Sequence, residues 1–326
     1  QSEGPVRKGD LMTNIRVYAA LAGIIALASL PFWATEFVLT LGIVSLVSFL
    51  VVISFSFLAG QLGLTSLMQA SIAGLAGYGV AYLQVTQGFP FPIPFFSALG
   101  IGVAVSAVLG LALVRTRGIY FLMLTMVLAL SFWSLALQWV SITKGTTGII
   151  GVRAPVIFGT SLSTSPRGFY YFVFFIAVIA FAFFSYLKTT RFGLCLKGIR
   201  DNEQRMRSLG YPINLYVWIA WVVSSVPATL GGTLLVYYLG VMNPHNMTIA
   251  HNVNVVLAGI LGGVESYMGA FGGAVLLKLI DNIVSAWTER YQLIGGVLFI
   301  LIILGRLYAT DIRFLPRRLL GVQKRR

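Results

Sequence analysis

The segment FVLTLGIVSLVSFLVVISFSFL, residues 37–58, is predominantly apolar and contains no charged side chain. The uncharged run continues to residue 114, and a second uncharged run covers residues 208–264. A membrane-crossing helix needs about 20 consecutive apolar residues, so each run is long enough for several crossings. Because backbone polar groups in lipid must be satisfied internally, these runs predict helices that span a bilayer.

The composition of the 326 residues also favours a membrane protein. Hydrophobic residues make up 58% of the chain and charged residues 10%, whereas soluble domains carry roughly 25% charged residues.

The single cysteine, Cys195, excludes an internal disulfide and a cysteine-rich metal site, and we interpret it as a packing residue. The histidines His245 and His251 have no acidic cluster beside them, so no metal site is predicted.

Gly/Pro clusters and charged residues divide the apolar sequence into ten candidate spans. These are residues 17–30, 37–58, 65–84, 97–114, 118–138, 169–187, 213–239, 251–263, 269–287 and 291–305. The sequence therefore predicts an all-α polytopic membrane protein with about ten transmembrane helices. The span 251–263 is too short to cross fully, and we expect it to be re-entrant or broken.

Lysine and arginine are distributed unequally between the predicted loops. With both termini in the cytoplasm, 18 of the 23 basic residues fall in cytoplasmic segments and four in outer loops, as the positive-inside rule requires. This gives a cytoplasmic amino-terminal segment (1–16), a transmembrane domain (17–305) with an outer loop (139–168) and a cytoplasmic loop (188–212), and a basic cytoplasmic tail (306–326). Topology then explains the net charge of +14, and nucleic acid is not a predicted partner. We expect the first span to be uncleaved.

Residues 188–212, KTTRFGLCLKGIRDNEQRMRSLGYP, form the longest polar stretch on the predicted cytoplasmic side. We call these residues the basic segment. Asp201 is a good amino-terminal cap, and Gly210 followed by Pro212 predicts a left-handed stop. The pattern predicts a short helix over residues 202–209.

The residues alone leave two interpretations of this helix open. Met206 and Leu209 are predicted to share one face, while Glu203 and Arg205 keep the remaining surface hydrated. The basic segment is either a solvated loop that obeys the positive-inside rule or a knob that fits a groove on a cytoplasmic partner.

Polar side chains at membrane depth are candidates for a substrate pathway, because they are costly in lipid and are expected to face protein or water. Gln61 lies just before the third predicted span, and Thr65 and Gln69 lie at its start. Asn252 and Asn254 lie in the short span. We interpret these five residues as pathway candidates.

Glycines are concentrated around the predicted break after the short span. Gly262, Gly263, Glu265 and Gly269 indicate either tight helix packing or a broken helix that gates a pathway. Farther along, Lys278 and Asp281 are three residues apart, and their spacing predicts an intrahelical ion pair.

The sequence shows no energy-converting or catalytic motif. No glycine-rich phosphate-binding loop occurs, so no cofactor and no catalytic residue are predicted in this chain. The outer sequence TKGTTGIIGV, residues 143–152, is either a turn-rich cap or a contact for an extracytoplasmic partner. A self-contained channel or carrier and a membrane scaffold remain rival functions to a permease driven by other subunits.

Four segments resemble the LivM-type permease family of branched-chain amino acid ABC importers. They are RTRGIYFLMLTMVLAL (115–130), TKGTTGIIGV (143–152), RFGLCLKGIRDNEQRMRSLG (191–210) and LAGILGGVESYMGAFGGAVLL (257–277). The resemblance covers nearly the whole chain from about Phe37. Met206 and Ser208 differ from the alanines that are usual in the family.

The resemblance implies a type II ABC importer permease in a bacterial inner membrane. It implies a heterodimer with a LivH-type permease, two cytoplasmic subunits that bind ATP and Mg, and an extracytoplasmic solute-binding protein. The loop that docks on the ATPase would contain Arg200, Asp201, Asn202, Glu203, Leu209 and Gly210, with Arg205 and Met206 between them. Related permeases carry urea, short amides or other amino acids, so the substrate stays open.

Overall fold

The computed structural model describes residues 26–157, 160–161 and 166–285, together with residues 23, 296, 297 and 300. The described chain is largely helical, and it divides into two compact units, residues 1–275 and 276–326. The elements below lie in the first unit, except for the second half of the last helix. The predicted segments 1–16 and 306–326 lie outside the described residues, as does most of the predicted span 291–305.

Residues 26–33 are helical, and eleven further α-helices follow in the described part of the chain. They are α1 (Glu36–Leu62), α2 (Gln69–Ala81), α3 (Ile93–Leu113), α4 (Gly118–Gln138), α5 (Val140–Thr143), α6 (Pro166–Leu187), α7 (Arg191–Asp201), α8 (Glu203–Ser208), α9 (Ile213–Leu239), α10 (Ile249–Gly262) and α11 (Tyr267–Ser285). A π-helical turn (Tyr82–Thr86) extends α2, and 3-10 turns cover Gly145–Thr147 and Pro244–Met247. Four two-residue strands are β1 (Ile149–Ile150), β2 (Val156–Ile157), β3 (Thr160–Ser161) and β4 (Val241–Met242).

Five of the described helices are long and apolar enough to cross a membrane: α1, α3, α4, α6 and α9. They correspond to five of the ten predicted spans, and this confirms a polytopic membrane protein. The number of ten spans and the cytoplasmic location of both termini stay predictions.

The centre of the first unit is built around α1 and α9. In their most apolar stretches 61% and 67% of the residues are buried, compared with 22% to 28% in α3, α4 and α6. Gly232 of α9 lies directly against the carbonyl of Ala73 in α2, where a side chain would collide with the backbone. Such close approach of small residues is how helices associate in lipid, where burial of apolar surface gives little driving force.

The helix α2 begins at Gln69, four residues later than the start of the predicted span 65–84. Gly63 ends α1 in a left-handed conformation (φ 69°), and the chain then runs without helical structure to Met68, which is buried. The backbone N–H of Leu67 donates to Oγ1 of Thr125 at 3.2 Å. The partner that holds this non-helical stretch comes from a different helix, so the local sequence pattern did not reveal it.

The two helices after the α9–α10 connection form a tight hairpin. α10 has 14 residues, about 21 Å at 1.5 Å per residue, which is shorter than a hydrocarbon core of about 30 Å. The backbones of Gly262 and Gly269 are in direct contact, and Gly273 lies against the carbonyl of Ala258. The glycines around the predicted break therefore allow two helices to turn back on each other.

At the opposite end of these helices, the predicted outer loop is tied to the α9–α10 connection. β1 pairs antiparallel with β4, with Ile149 opposite Met242. Gly148 has φ 71° and lies against the carbonyl of Met242, so a side chain would fit neither the conformation nor the space. This geometry agrees with a turn-rich cap, while a contact to an extracytoplasmic partner stays a prediction.

Candidate functional site

The basic segment contains two helices, α7 and α8, where the sequence predicted one. Oγ1 of Thr190 accepts from the backbone N–H of Gly193 at 3.3 Å and caps α7. Oδ1 of Asn202 accepts from the N–H of Arg205 at 2.8 Å and caps α8. The predicted cap at Asp201 is wrong, because that residue ends α7 and the extended backbone at Asn202 (φ −159°) starts the new helix.

The carboxyl end of α8 has the predicted left-handed stop. Gly210 has φ 84°, its N–H donates to the carbonyl of Arg207 at 3.0 Å, and the N–H of Tyr211 donates to the carbonyl of Met206 at 3.2 Å. These two bonds form a Schellman motif, which satisfies carbonyls that the helix end would otherwise leave unpaired.

The two short helices contact each other through Met206, whose side chain packs against Gly198 of α7. Leu209 does not share this contact, because 66% of its surface is exposed. Met206 and Leu209 therefore do not form the common packing face that the sequence predicted. Asp201, Asn202 and Arg205 are also exposed. The surface that α8 leaves open is therefore mainly polar, with one large apolar side chain.

The first connection between the basic segment and the helical bundle is made by Arg200. Its Nη1 donates to the carbonyl of Gly60 near the end of α1. Its Nη2 lies 2.8 Å from Oε1 of Glu265 in the α10–α11 turn. We call this arrangement the Arg200 link; it joins α7 to two other elements of the first unit.

The α10–α11 turn is held to the same place by further contacts. Nζ of Lys188 donates to the carbonyl of Glu265. The hydrogen bond and charge of Arg200 hold the pKa of the Glu265 carboxyl below its usual range, and Lys188 adds to this effect. Gly60 lies directly against the carbonyl of Val264, so a side chain at residue 60 would push the turn away from α1.

The structure thus brings together two groups of residues that the sequence analysis treated separately. Arg200 belongs to the predicted docking residues, and Glu265 to the predicted helix break. Gly262 and Gly269 form the backbone contact of the α10–α11 hairpin, and Gly263 (φ 88°) begins the turn. A displacement of α7 would therefore act directly on the turn that joins α10 to α11.

Three participants in these contacts were missed by the sequence analysis: Gly60, Lys188 and Arg117. Nε of Arg117 in the α3–α4 connection lies 3.0 Å from Oε2 of Glu203. From the sequence, Arg117 and Lys188 are evident only as basic residues that fit the positive-inside rule. The single signal in the sequence was their position, since each cation directly follows or precedes a predicted span.

The pathway candidates Gln69 and Asn252 are both buried near the start of α2. Oδ1 of Asn252 accepts from the N–H groups of Ala70 and Ser71 at 2.9 and 3.3 Å, and its Nδ2 donates to Oγ of Ser71 at 2.9 Å. Oε1 of Gln69 accepts from Oγ of Ser54 at 2.5 Å. Asn252 therefore caps α2 from a helix far along the chain.

The other pathway candidates occupy different surroundings. Gln61 is buried at the end of α1, next to the residue that Arg200 contacts, while Thr65 and Asn254 are half-buried. These placements do not bring all five candidates into one cluster. Their assignment to a substrate pathway stays a prediction.

The charged side chains described above bond the two short helices to the ends of other helices. Among those residues no group of three or more His, Cys, Asp or Glu side chains could hold a metal ion. The Lys278–Asp281 pair in α11 has an N–O distance of 3.7 Å and connects only neighbouring turns of one helix. What the site offers is a pair of short helices bonded to the ends of membrane helices.

The fold and these bonded helix ends define a multi-pass membrane protein. The chain belongs to the family described as branched-chain amino acid transport system / permease component, whose sequence profile matches residues 37–305.

Individual relatives agree with this family. The chain is 26% identical over 270 residues to the high-affinity branched-chain amino acid transport system permease protein LivM of Salmonella typhimurium, covering 75% of this chain and 63% of the relative. It is 23% identical over 298 residues to LivM of Escherichia coli, covering 85% and 70%. It is 26% identical over 149 residues to the permease protein LivH of Escherichia coli, covering 45% and 47%. The matched region thus spans less than two thirds of the Salmonella relative, and no solved structure matches the chain.

Proposed function

We propose that this chain is the permease subunit of an ATP-driven importer that moves branched-chain amino acids across the bacterial inner membrane. The family and its LivM relatives support the transport role and the substrate class. The Arg200 link supports the mode of action, because it connects a partly exposed two-helix segment to the ends of the membrane helices.

The importer contains this chain and a homologous LivH-type permease, which together enclose the pore. Two cytoplasmic subunits bind and hydrolyse ATP with Mg²⁺, and an extracytoplasmic solute-binding protein delivers the substrate. Relatives named LivM and LivH both match this chain, which supports pairing of two related permeases. The ATPases and the binding protein are proposed from the resemblance to the importer family.

The chain has ten spans and both termini in the cytoplasm. The α3–α4 connection, the basic segment and the α10–α11 turn contact one another at one end of the described helices. The outer loop and the α9–α10 connection pair through β1 and β4. This grouping supports the alternation of cytoplasmic and outer loops that the basic residues predict.

Transport is driven by movement of the basic segment. When ATP closes the two ATPases, they displace α7 and α8 as a rigid pair. The Arg200 link transfers this displacement to the end of α1 and to the α10–α11 turn, and the helices change between outward-open and inward-open arrangements. Gln61, Thr65, Gln69, Asn252 and Asn254 remain the candidate residues of the substrate pathway.

Reconstitution into liposomes tests the proposal. The complete importer is supplied with radiolabelled leucine and the binding protein. It is expected to accumulate leucine only when ATP is present on the side of the membrane that the ATPases face. This chain alone is expected to give no uptake. Leucine uptake by the chain alone, without ATP, would instead establish a self-contained channel or carrier, and accumulation of urea or amides in place of leucine would reassign the substrate.

Reversal of exposed charges distinguishes a permease function from a membrane scaffold function. Arg205→Glu is expected to weaken association with the ATPases and so to lower uptake, because this side chain lies on the exposed surface of α8. Reversal of Arg153 in the outer loop is the matched control and is expected to leave ATPase association unchanged. Normal uptake with reversed Arg205 would favour a scaffold role for this segment.

A further inference from the structure

Arg117 connects three parts of the bundle that the Arg200 link does not reach. It lies in the α3–α4 connection, where its Nη1 donates to the carbonyls of Val114 and Thr116. Its Nε donates to Oε2 of Glu203 at 3.0 Å. Its Nη2 donates to Oδ1 of Asn214 at 3.2 Å. The guanidinium group thus contacts the end of α3, the start of α8 and the first turn of α9.

The ion pair between Arg117 and Glu203 is better shielded from water than the one in the Arg200 link. The Arg117 and Glu203 side chains are 29% and 31% exposed, whereas Glu265 is 68% exposed. Solvent screens exposed pairs strongly and partly buried pairs less. Oε1 of Glu203 also binds Arg207 at 3.0 Å, so both carboxylate oxygens have cationic partners.

The two links lie on either side of the junction between the short helices. Arg200 is in the last turn of α7, Glu203 is the first residue of α8, and Asn202 between them has an extended backbone. Contacts through Arg200 lead to α1 and to the α10–α11 turn. Contacts through Glu203 lead, by way of Arg117, to the α3–α4 connection and to α9.

We propose that Arg117 is a positioning residue that forms a second transmission route, by which displacement of α8 moves the α3–α4 connection and the start of α9 independently of the Arg200 link. This inference rests on the proposed function, since it assumes that partner ATPases displace the basic segment. The planar guanidinium suits this position because it donates in several fixed directions at once. A lysine offers a single flexible charge and would not reach all of these acceptors.

A mutant cycle in the complete importer tests the second route. The readout is substrate transported per ATP hydrolysed, measured in liposomes, with subunit co-purification as the measure of assembly. Arg117→Gln is expected to lower this ratio about five- to tenfold, within the usual range of coupling between sites, while the complex still assembles. Glu203→Gln is expected to give a similar loss, and the double variant no further loss, because both changes break the same contact.

Combination with Arg200→Gln shows whether the routes are separate. If they are, the losses from Arg117→Gln and Arg200→Gln multiply in the double variant. Arg207→Gln is the matched control, since it removes the other, exposed cation on Glu203 and is expected to change the ratio little. Arg117→Lys replaces Arg117→Gln as the deciding variant if the latter fails to assemble, and the same loss is expected.

The outcomes distinguish this inference from the proposed function. A normal ratio in assembled Arg117→Gln or Arg117→Lys, with a reduced ratio in Arg200→Gln, overturns the second route alone. A double variant no worse than Arg200→Gln also overturns it, because the two residues then belong to one route. Normal ratios in both single variants would count against the proposed function itself.

Discussion

Replacement of Arg200 by glutamine removes two interactions from the first unit at once. The first is the pair with Glu265, whose carboxylate side chain is 68% exposed, and such exposed pairs contribute about 0 to 1 kcal/mol after screening. The second is the bond from the guanidinium to the carbonyl of Gly60. Hydrogen bonds to charged groups contribute about 1.5 to 3 kcal/mol, and the partial exposure of Arg200 favours the lower end.

Together these interactions stabilise the connection between α7 and its neighbours by about 2 kcal/mol. At 1.4 kcal/mol per factor of ten, this corresponds to roughly a 30-fold shift in the equilibrium between connected and disconnected states. Glu265→Gln removes only the exposed pair and leaves the bond to Gly60. It is therefore expected to shift the equilibrium by about fivefold or less.

The assay is leucine uptake per ATP hydrolysed by the complete importer in liposomes, with thermal stability of each variant recorded in parallel. Arg200→Gln is expected to lower the ratio several times more than Glu265→Gln. Arg191→Gln, an exposed cation at the start of the same helix, is the control and is expected to have little effect. Equal losses in Arg200→Gln and Glu265→Gln would refute the assignment of most of the energy to the Gly60 carbonyl. An unchanged ratio in Arg200→Gln would refute the link as a whole.

Three further predictions follow from individual contacts. Gly210→Val is expected to lower stability by about 1 to 2 kcal/mol, because a side chain is unfavourable in the left-handed conformation. It is also expected to weaken co-purification with the ATPase, whereas Ser208→Ala should leave co-purification unchanged. Asn252→Leu leaves the buried N–H groups of Ala70 and Ser71 without their acceptor, so the melting temperature is expected to fall with a loss of about 1 to 3 kcal/mol; an unchanged melting temperature would contradict this role. Because Arg200 lowers the pKa of Glu265, the pair contributes its full stabilisation above the ordinary glutamate pKa and loses it only as the pH falls through the lowered pKa. The effect of Glu265→Gln on uptake should therefore be constant from about pH 6 to about pH 8. A change across that interval would show that the carboxylate is not held ionised.

Much of the fold could be predicted from hydropathy alone. The spans 37–58 and 118–138 correspond closely to α1 and α4, because an apolar run of this length has no stable alternative in lipid. The stop at Gly210 was also predictable, since glycine followed by proline is a local signal. Helix α7 was missed: its polar, mixed sequence resembled a loop, and Thr190 was not recognised as its cap.

The contacts that form the candidate site could not be predicted in the same way. Arg117 and Glu203 are 86 residues apart, and Asn252 is 182 residues from the backbone N–H of Ala70 that it binds. One sequence gives no information about such distant pairs. The cap of α8 was misplaced by one residue because Asp201 and Asn202 are both good caps, and only the backbone conformation distinguishes them.

Transport by this mechanism requires the basic segment to lie on the cytoplasmic side, where an ATPase can displace it. Leu209 is exposed at the end of α8, so a single cysteine there, in a chain with Cys195→Ser, reports which side of the membrane it faces. A membrane-impermeant maleimide is expected to label Leu209→Cys in inverted inner-membrane vesicles and to leave it unlabelled in intact spheroplasts. Labelling in spheroplasts and protection in inverted vesicles would show that the basic segment lies on the outer side, where a cytoplasmic ATPase could not displace it.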